Sequence, residues 1–335
     1  MIINLFNFST VIIHINNKMT ENIEQTLNIS SIEDVKENLS INLNQTTKIE
    51  EIKLSTDFLD TFKCLSAEKQ LDKCQDYTKI LSGVDIETGE KWTGGFLADG
   101  HGYERDLFMN IIKNIDYLPL LSHIDPIPFI RTKINEMTQY CHVNSGMTFI
   151  LVKIYENKIV TYSIGDSSLY IFINDIFVYK NIHHFFGNES EMKRLEGKII
   201  KIDAVKPILL SKKKITMSKS AYINFIEGDF KLAFTQSLGH HDYTGINPEI
   251  FEISFSKEDK IRIVVGSDGY FDMHNDQDEC DMNDLKKLSL KELIDKAEYR
   301  WKQDWEYCSD KNNLEDFDLT KFPGYDDVSI LLIEN

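Results

Sequence analysis

From about residue 54 onward the chain is built of short apolar runs broken by turn signals, and this pattern sets the strongest limit on its fold. "WTGGFLAD", "GMTFILVKIY", "KIVTYSIG", "SLYIFIND" and "IFVYK" follow one another. Their β-branched and aromatic residues predict antiparallel strands. "KLAFTQSLG", "EIFEISF", "RIVVGSDG" and "DVSILLIEN" read the same way near the end. Between them "RDLFMNIIKNI", "EMKRLE" and "LKELIDKAEYRWKQDWEYC" space their apolar positions by three and four, as helices do. The order is neither a βαβ alternation nor all-β. The expected architecture is therefore α+β, a four-layer α/β/β/α sandwich of two mainly antiparallel sheets flanked by helices. No repeat or linker divides residues 54–335, which are read as one domain. Residues 1–53, rich in Asn and Thr and without strong periodicity, are read as a poorly ordered N-terminal extension.

A chain of 335 residues can bury a full core without covalent staples. The cysteines, Cys64, Cys74, Cys141, Cys280 and Cys308, are odd in number, scattered and never in a C-x-x-C pair. That pattern fits a reducing, cytoplasmic setting and argues against structural zinc. A formal net charge of −17 speaks against nucleic-acid partners, which need a basic footprint. The uncharged start "MIINLFNFSTVIIHINN" is short, interrupted by Asn4, Asn7 and His14, and has no basic n-region. No stable membrane association is expected from it, and Met19 offers an alternative start. A monomer is expected.

The carboxylates fall at the mouths of the apolar runs. Asp99 ends "GGFLA", Asp166 follows "IVTYSIG", Asp268 ends "IRIVVGS", and Asp326 and Asp327 precede "VSILLIE". Each alone has an ordinary reading as a cap or turn, and Asp99-Gly100 alone could be a hairpin turn. Gathered at neighbouring strand ends, they would repel one another unless cations lay between them. All-oxygen donors select magnesium, manganese or calcium. Zinc is disfavoured because His183-His184 and His240-His241 lack a second cluster at ligand spacing. Trp301 and Trp305, at helical spacing, read as core, and "SKKK" at 211–214 as a solvated loop.

In order and approximate spacing, "FLADGHG", "SGMTFILV", "IGDSSLYIF", "VVGSDGYFD" and "DDVSILLI" resemble the motifs of the metal-dependent type 2C serine/threonine protein phosphatases. "KCQDYT", "HHFFGNESEMKRLEG" and "LAFTQSLGHHDYTGINPEI" are weaker echoes, and the likeness covers about residues 65–335. It implies that Asp99 bridges two ions, magnesium or manganese, with the carbonyl of Gly100 completing one shell. Asp268 and Asp326 would hold the second ion, and Asp76 would act through bound water, with Gln75 beside it. A third, weaker ion would lie near Asp166, Asp268 and Asp272. His101 would be the general acid, and phosphoproteins the substrates.

Two such ions, about 3.5–4 Å apart, can share a water, lower its pKa and present hydroxide to phosphorus. They also neutralise charge on the phosphoryl oxygens. A serine or threonine alkoxide leaves poorly, so a proton from His101 would help by about 10²–10⁴-fold. The departures point to a second reading, a catalytically weak or inactive pseudophosphatase that serves as a binding module. Leu71 stands where the resemblance places a phosphate-binding arginine, and Lys69 and Lys73 cannot supply its bidentate fork. Gln236 replaces an arginine, His240 an aspartate, and Ser168 another arginine.

Overall fold

The structure, a computed structural model, describes residues 48–52, 58–71, 75–308, 318–322 and 325–335. Residues 1–47, and with them most of the expected extension and the apolar leader, lie outside the described residues. Strand β1 (Lys48–Ile52) comes from the stretch assigned to the extension and pairs antiparallel with β2 (Lys63–Lys69). Strands β3 (Asp76–Val84) and β4 (Lys91–Gly102) follow. Helices α1 (Arg105–Lys113), α2 (Leu118–Leu121) and α3 (Ile127–Thr138) come next. Then come β5 (Ser145–Met147), β6 (Phe149–Ile154), β7 (Lys158–Ile164), β8 (Ser168–Ile173) and β9 (Ile176–Lys180). Helix α4 (Glu189–Arg194) leads to β10 (Ile199–Leu209), β11 (Lys214–Phe225), β12 (Phe230–Leu232), β13 (Leu238–Gly239), β14 (Glu249–Ser254) and β15 (Ile261–Gly266). The chain closes with α5 (Asp268–Phe271), α6 (Glu279–Lys287), α7 (Leu290–Lys302), β16 (Trp305–Tyr307), β17 (Asp318–Thr320) and β18 (Val328–Glu334).

One sheet runs β13-β5-β4-β6-β7-β14 with β3 on β4, and another runs β1-β2-β18-β15-β8-β9. Both are antiparallel throughout. Alternation along the strands shows how they stack. Leu97, Ile150 and Val152 of the first sheet share a core with Leu169, Ile171, Ile263, Val265 and Leu331 of the second. Their neighbours Phe96, Ala98, Phe149 and Leu151 face the opposite way, into a core with Phe108, Ile112, Ile130 and Ile134 of α1 and α3. Tyr170, Phe172, Val264, Ile330 and Leu332 likewise meet Leu293, Ile294, Ala297 and Trp301 of α7. Both faces of the central strands are thus dry, and this explains their continuous apolar runs. The four-layer α/β/β/α sandwich is the observed fold.

A further small sheet, β10-β11-β16-β17 with β12 on β11, was not foreseen. In its long hairpin β10 has only exposed and partly covered residues, while β11 intersperses buried ones such as Ile223 and Phe225 with exposed ones, so neither strand reads as a continuous apolar run.

Candidate active site

The sheet register brings the first two carboxylates together. Asp76 opens β3 directly across from Asp99 on β4, and both are buried. Strand β4 runs on through Gly102, so Asp99-Gly100 is not a hairpin turn. Gly100 is required by packing: a Cβ there would lie 2.4 Å from Met109 Cγ and 2.9 Å from the carbonyl oxygen of Gln75. Its own N–H donates to that carbonyl at 3.1 Å.

The second sheet supplies the rest. In β15 and β18 Gly266 pairs with Ile330, so the end of one strand and the start of the other share an edge. Asp268 leaves that edge as the first residue of α5, and Asp326 and Asp327 enter it. The backbone is tight here: a Cβ on Gly269 would come within 2.0 Å of the Asp327 carbonyl oxygen. Asp327, which sequence reasoning passed over in favour of Asp326, clamps the approach to β3. Its Oδ1 accepts from the Leu71 N–H at 2.9 Å and its Oδ2 from the Gln75 N–H at 2.8 Å. Gln75 Nε2 reaches Asp326 Oδ1 at 3.5 Å, which ties the residue before Asp76 to the residue before Asp327.

Electrostatics show how crowded the edge is. Burial pushes Asp76, Asp99 and Asp268 well above the usual carboxylate range. Neighbouring negative charge pushes the same way, from Asp327 onto Asp76, from Asp268 and Asp76 onto Asp99, and from Asp326 onto Asp268. Asp99 and Asp268 are both pushed up at this edge, so the pair takes up a proton more readily than isolated carboxylates do. A proton thus performs, for two facing carboxylates, the neutralisation a cation would give. Asp76 Oδ2 is buried without any hydrogen-bond partner. Among the described residues no three His, Cys, Asp or Glu side chains close on a common point at ion-holding distance. What fits divalent ions is the donor chemistry: an orphaned carboxylate oxygen and mutually repelling hard ligands.

Asp166, expected beside a third ion, faces a cleft of about 610 Å³ that Asp268 and Asp272 also line. Burial raises its carboxyl to about 6, against the pull of Lys206. Lys206, from β10, places Nζ 3.6 Å from Asp272 Oδ1. The three carboxylates expected around a third ion therefore already face a lysine ammonium.

His101 lies at the opposite end of the Asp99 segment. Its Nε2 is 2.7 Å from Nε2 of His240, and the rings stack at 4.9 Å. His240 Nδ1 lies 2.9 Å from the Val143 carbonyl, which can only accept. Hence His240 carries its proton on Nδ1, its Nε2 accepts, and His101 donates from Nε2. Nδ1 of His101 is left buried and unpartnered. Burial, then His240, holds His101 well below the ordinary histidine range, and burial takes His240 to about 4. The pairing depends on an unusual backbone, for His240, His241 and Asp242 have φ of 51°, 46° and 65°. Left-handed non-glycine residues cost about 1–3 kcal/mol each. Here a bidentate Arg131–Asp242 pair, both contacts 2.9 Å, and Asn135 on Asp242 at 2.7 Å hold the segment.

The other substitutions are also explained. Leu71 does not face the site: it is buried in the core cluster that contains Leu65 and Trp301. Gln236 donates from Nε2 to Glu191 at 2.7 Å, and Arg194 makes two bonds to that same carboxylate. Ser168 and His183 are hydrogen-bonded at 2.8 Å. Lys73 lies outside the described residues.

Residues 127–294, half of the chain, match the family model described as Protein phosphatase 2C. No curated protein matches the sequence. A serine-threonine phosphatase 2C from Toxoplasma gondii superposes with a TM-score of 0.55 at 10% identity, over 86% of this chain and 99% of that one. A serine/threonine phosphatase from S. agalactiae matches with a TM-score of 0.47 at 16% identity, over 86% and 99%. The catalytic domain of the serine threonine protein phosphatase PstP, solved with two manganese ions, matches at 0.47 and 13%, over 82% and 97%. Motif order, sandwich architecture and the matching family model agree, and the chain belongs to the protein phosphatase 2C family.

Proposed function

We propose that the chain is a magnesium- or manganese-dependent phosphatase that hydrolyses phosphoserine and phosphothreonine in proteins. The observation that carries this reading is the crowding of Asp76, Asp99, Asp268 and Asp326 at one edge of the sandwich, where burial and neighbouring negative charge drive the carboxyls of Asp76, Asp99 and Asp268 up. Asp99, Asp268, Asp326 and the Gly100 carbonyl would hold the ions, with Asp76 acting through water. When bound, the ions supply positive charge that makes a water nucleophilic near neutral pH and offsets charge on the phosphoryl oxygens. Asp327 fixes the approach to β3 and so positions Asp76. His101 is the proposed proton-transfer residue: Nε2–H is committed to His240, which leaves Nδ1, buried and without a hydrogen bond, as the atom that would take up a proton and pass it to the departing alkoxide. Of the five arginines, Arg131, Arg194, Arg262 and Arg300 are held in short ion pairs. Arg105 is held only by a 4.0 Å contact from its Nε to Asp106, which makes it the candidate phosphate contact in place of Leu71.

The second reading, a binding module without turnover, is favoured by the neutral His101 and the buried Leu71. Phosphate release from a phosphothreonine peptide with manganese, with and without chelator, separates the two. Turnover that chelator abolishes, and that Asp99→Asn or Asp268→Asn reduces by at least about a thousandfold, supports the enzyme. A soluble, folded wild type silent at saturating manganese supports the binding module.

A further inference from the structure

The cleft beside the proposed metal centre contains an acidic triad, Asp166, Asp268 and Asp272, on which the family resemblance places a third ion. Asp268 and Asp272 are one helical turn apart, with the Asp272 N–H donating to the Asp268 carbonyl at 2.7 Å, and Asp166 enters from the β7–β8 connection. Three carboxylates in one cleft need positive charge near them.

We propose that Lys206 supplies that charge permanently, so that the chain takes up two divalent ions and has no third site. This rests on the metal centre proposed above. Lys206 lies on β10, whose hairpin with β11 belongs to neither sheet of the sandwich and pairs Lys206 with Ser218. The hairpin extends over the cleft and brings Nζ to 3.6 Å from Asp272 Oδ1. The Lys206 side chain is 57% exposed, and a lone pair so exposed would hold its ammonium weakly. It is held instead by three charges of one sign, since Asp272, Asp166 and Asp268 all attract it. Lys180, the cleft's other lysine, is engaged with Asp276 and cannot play this part. An ion on the triad would need several oxygens within about 2.0–2.6 Å and would stand beside an ammonium drawn to the same oxygens. Lysine is a compact point charge with three donors, suited to replacing a cation. The tether also links the β10–β11 hairpin to the edge of the centre whatever the manganese concentration.

Equilibrium dialysis of the full chain against manganese, from micromolar to millimolar, counts bound ions directly. Wild type and Lys206→Arg should each saturate at two ions per chain, and Lys206→Met should gain one more. Adding Asp272→Asn to Lys206→Met should remove the extra ion, which locates it on the triad. Near-ultraviolet circular dichroism would confirm that the half-exposed substitution leaves the fold intact. Three ions in wild type, two in Lys206→Met, or a third ion that survives Asp272→Asn would each overturn the proposal. No manganese on any variant would overturn the metal centre itself and the proposal with it.

Discussion

Asp326 and Asp327 are neighbours in sequence but should respond oppositely to substitution. Asp327 is 1% exposed, and its two carboxylate oxygens accept from two buried backbone amides, at 2.9 and 2.8 Å. Asp327→Ala leaves both N–H groups without an acceptor, at about 1–3 kcal/mol each, so the loss should be about 4 kcal/mol. For a domain of this size that lowers Tm by about 2 °C per kcal/mol, or about 8 °C in all. Asp327→Asn keeps one acceptor and turns an NH2 toward the other amide, so about half that drop is expected. Asp326, in contrast, adds negative charge to Asp268, Asp99 and Asp76. Asp326→Asn keeps an acceptor for the Asp327 N–H, now 3.0 Å away, and removes the repulsion. In chelator it should melt at or above wild type. Thermal melts followed by circular dichroism, in chelator at neutral pH, test both. An Asp327→Ala protein melting within about 2 °C of wild type, or an Asp326→Asn protein losing as much as Asp327→Ala, would refute the division of roles.

The rise in Tm that manganese confers over chelator should grow from about pH 5 to about pH 7.5, because ions bind deprotonated ligands. The sign follows from the raised carboxyls of Asp76, Asp99 and Asp268. Their contribution to metal-free stability is full below the unfolded value near 4 and is lost as pH rises through the folded values, where ions restore it; a flat difference would count against the centre. Leu71→Arg should lower stability by about 3–5 kcal/mol, the usual cost of an uncompensated buried charge, with no fall in KM for a phosphopeptide. Denaturant titration and steady-state kinetics would check this, and a tighter KM would put residue 71 back in the site. Deleting residues 1–45 should preserve solubility and metal-dependent turnover. Extending the deletion to 53 removes β1, bares the edge of β2 and should promote association, visible by light scattering.

Sequence made the sandwich and the acidic edge legible for one physical reason. Strands dry on both faces, such as Phe96-Leu97-Ala98 and Val264-Val265, must be continuously apolar, and a carboxylate ending such a run marks the strand mouth. What stayed illegible depends on contacts between distant segments. Leu71 takes its orientation from Asp327, 256 positions away, and no local pattern could show that the position turns inward. His240 meets His101 only because three consecutive left-handed residues are held by Arg131 and Asn135 from α3, a helix that the sequence reading missed. Lys206 comes from a hairpin whose polar alternation gave no strand signal, yet it faces the triad that resemblance alone would assign to a metal ion. These departures share a direction: each replaces an expected charge with a group held by the fold itself. Leu71 becomes core, a neutral imidazole takes the place of an aspartate beside His101, and an ammonium stands at the triad. The replacements fall around the Asp76, Asp99, Asp268 and Asp326 set and leave it intact. Without cations, buried carboxylates that repel one another weaken the fold at neutral pH. Cations would relieve that repulsion, and this is how the acidic edge supports the proposed metal centre.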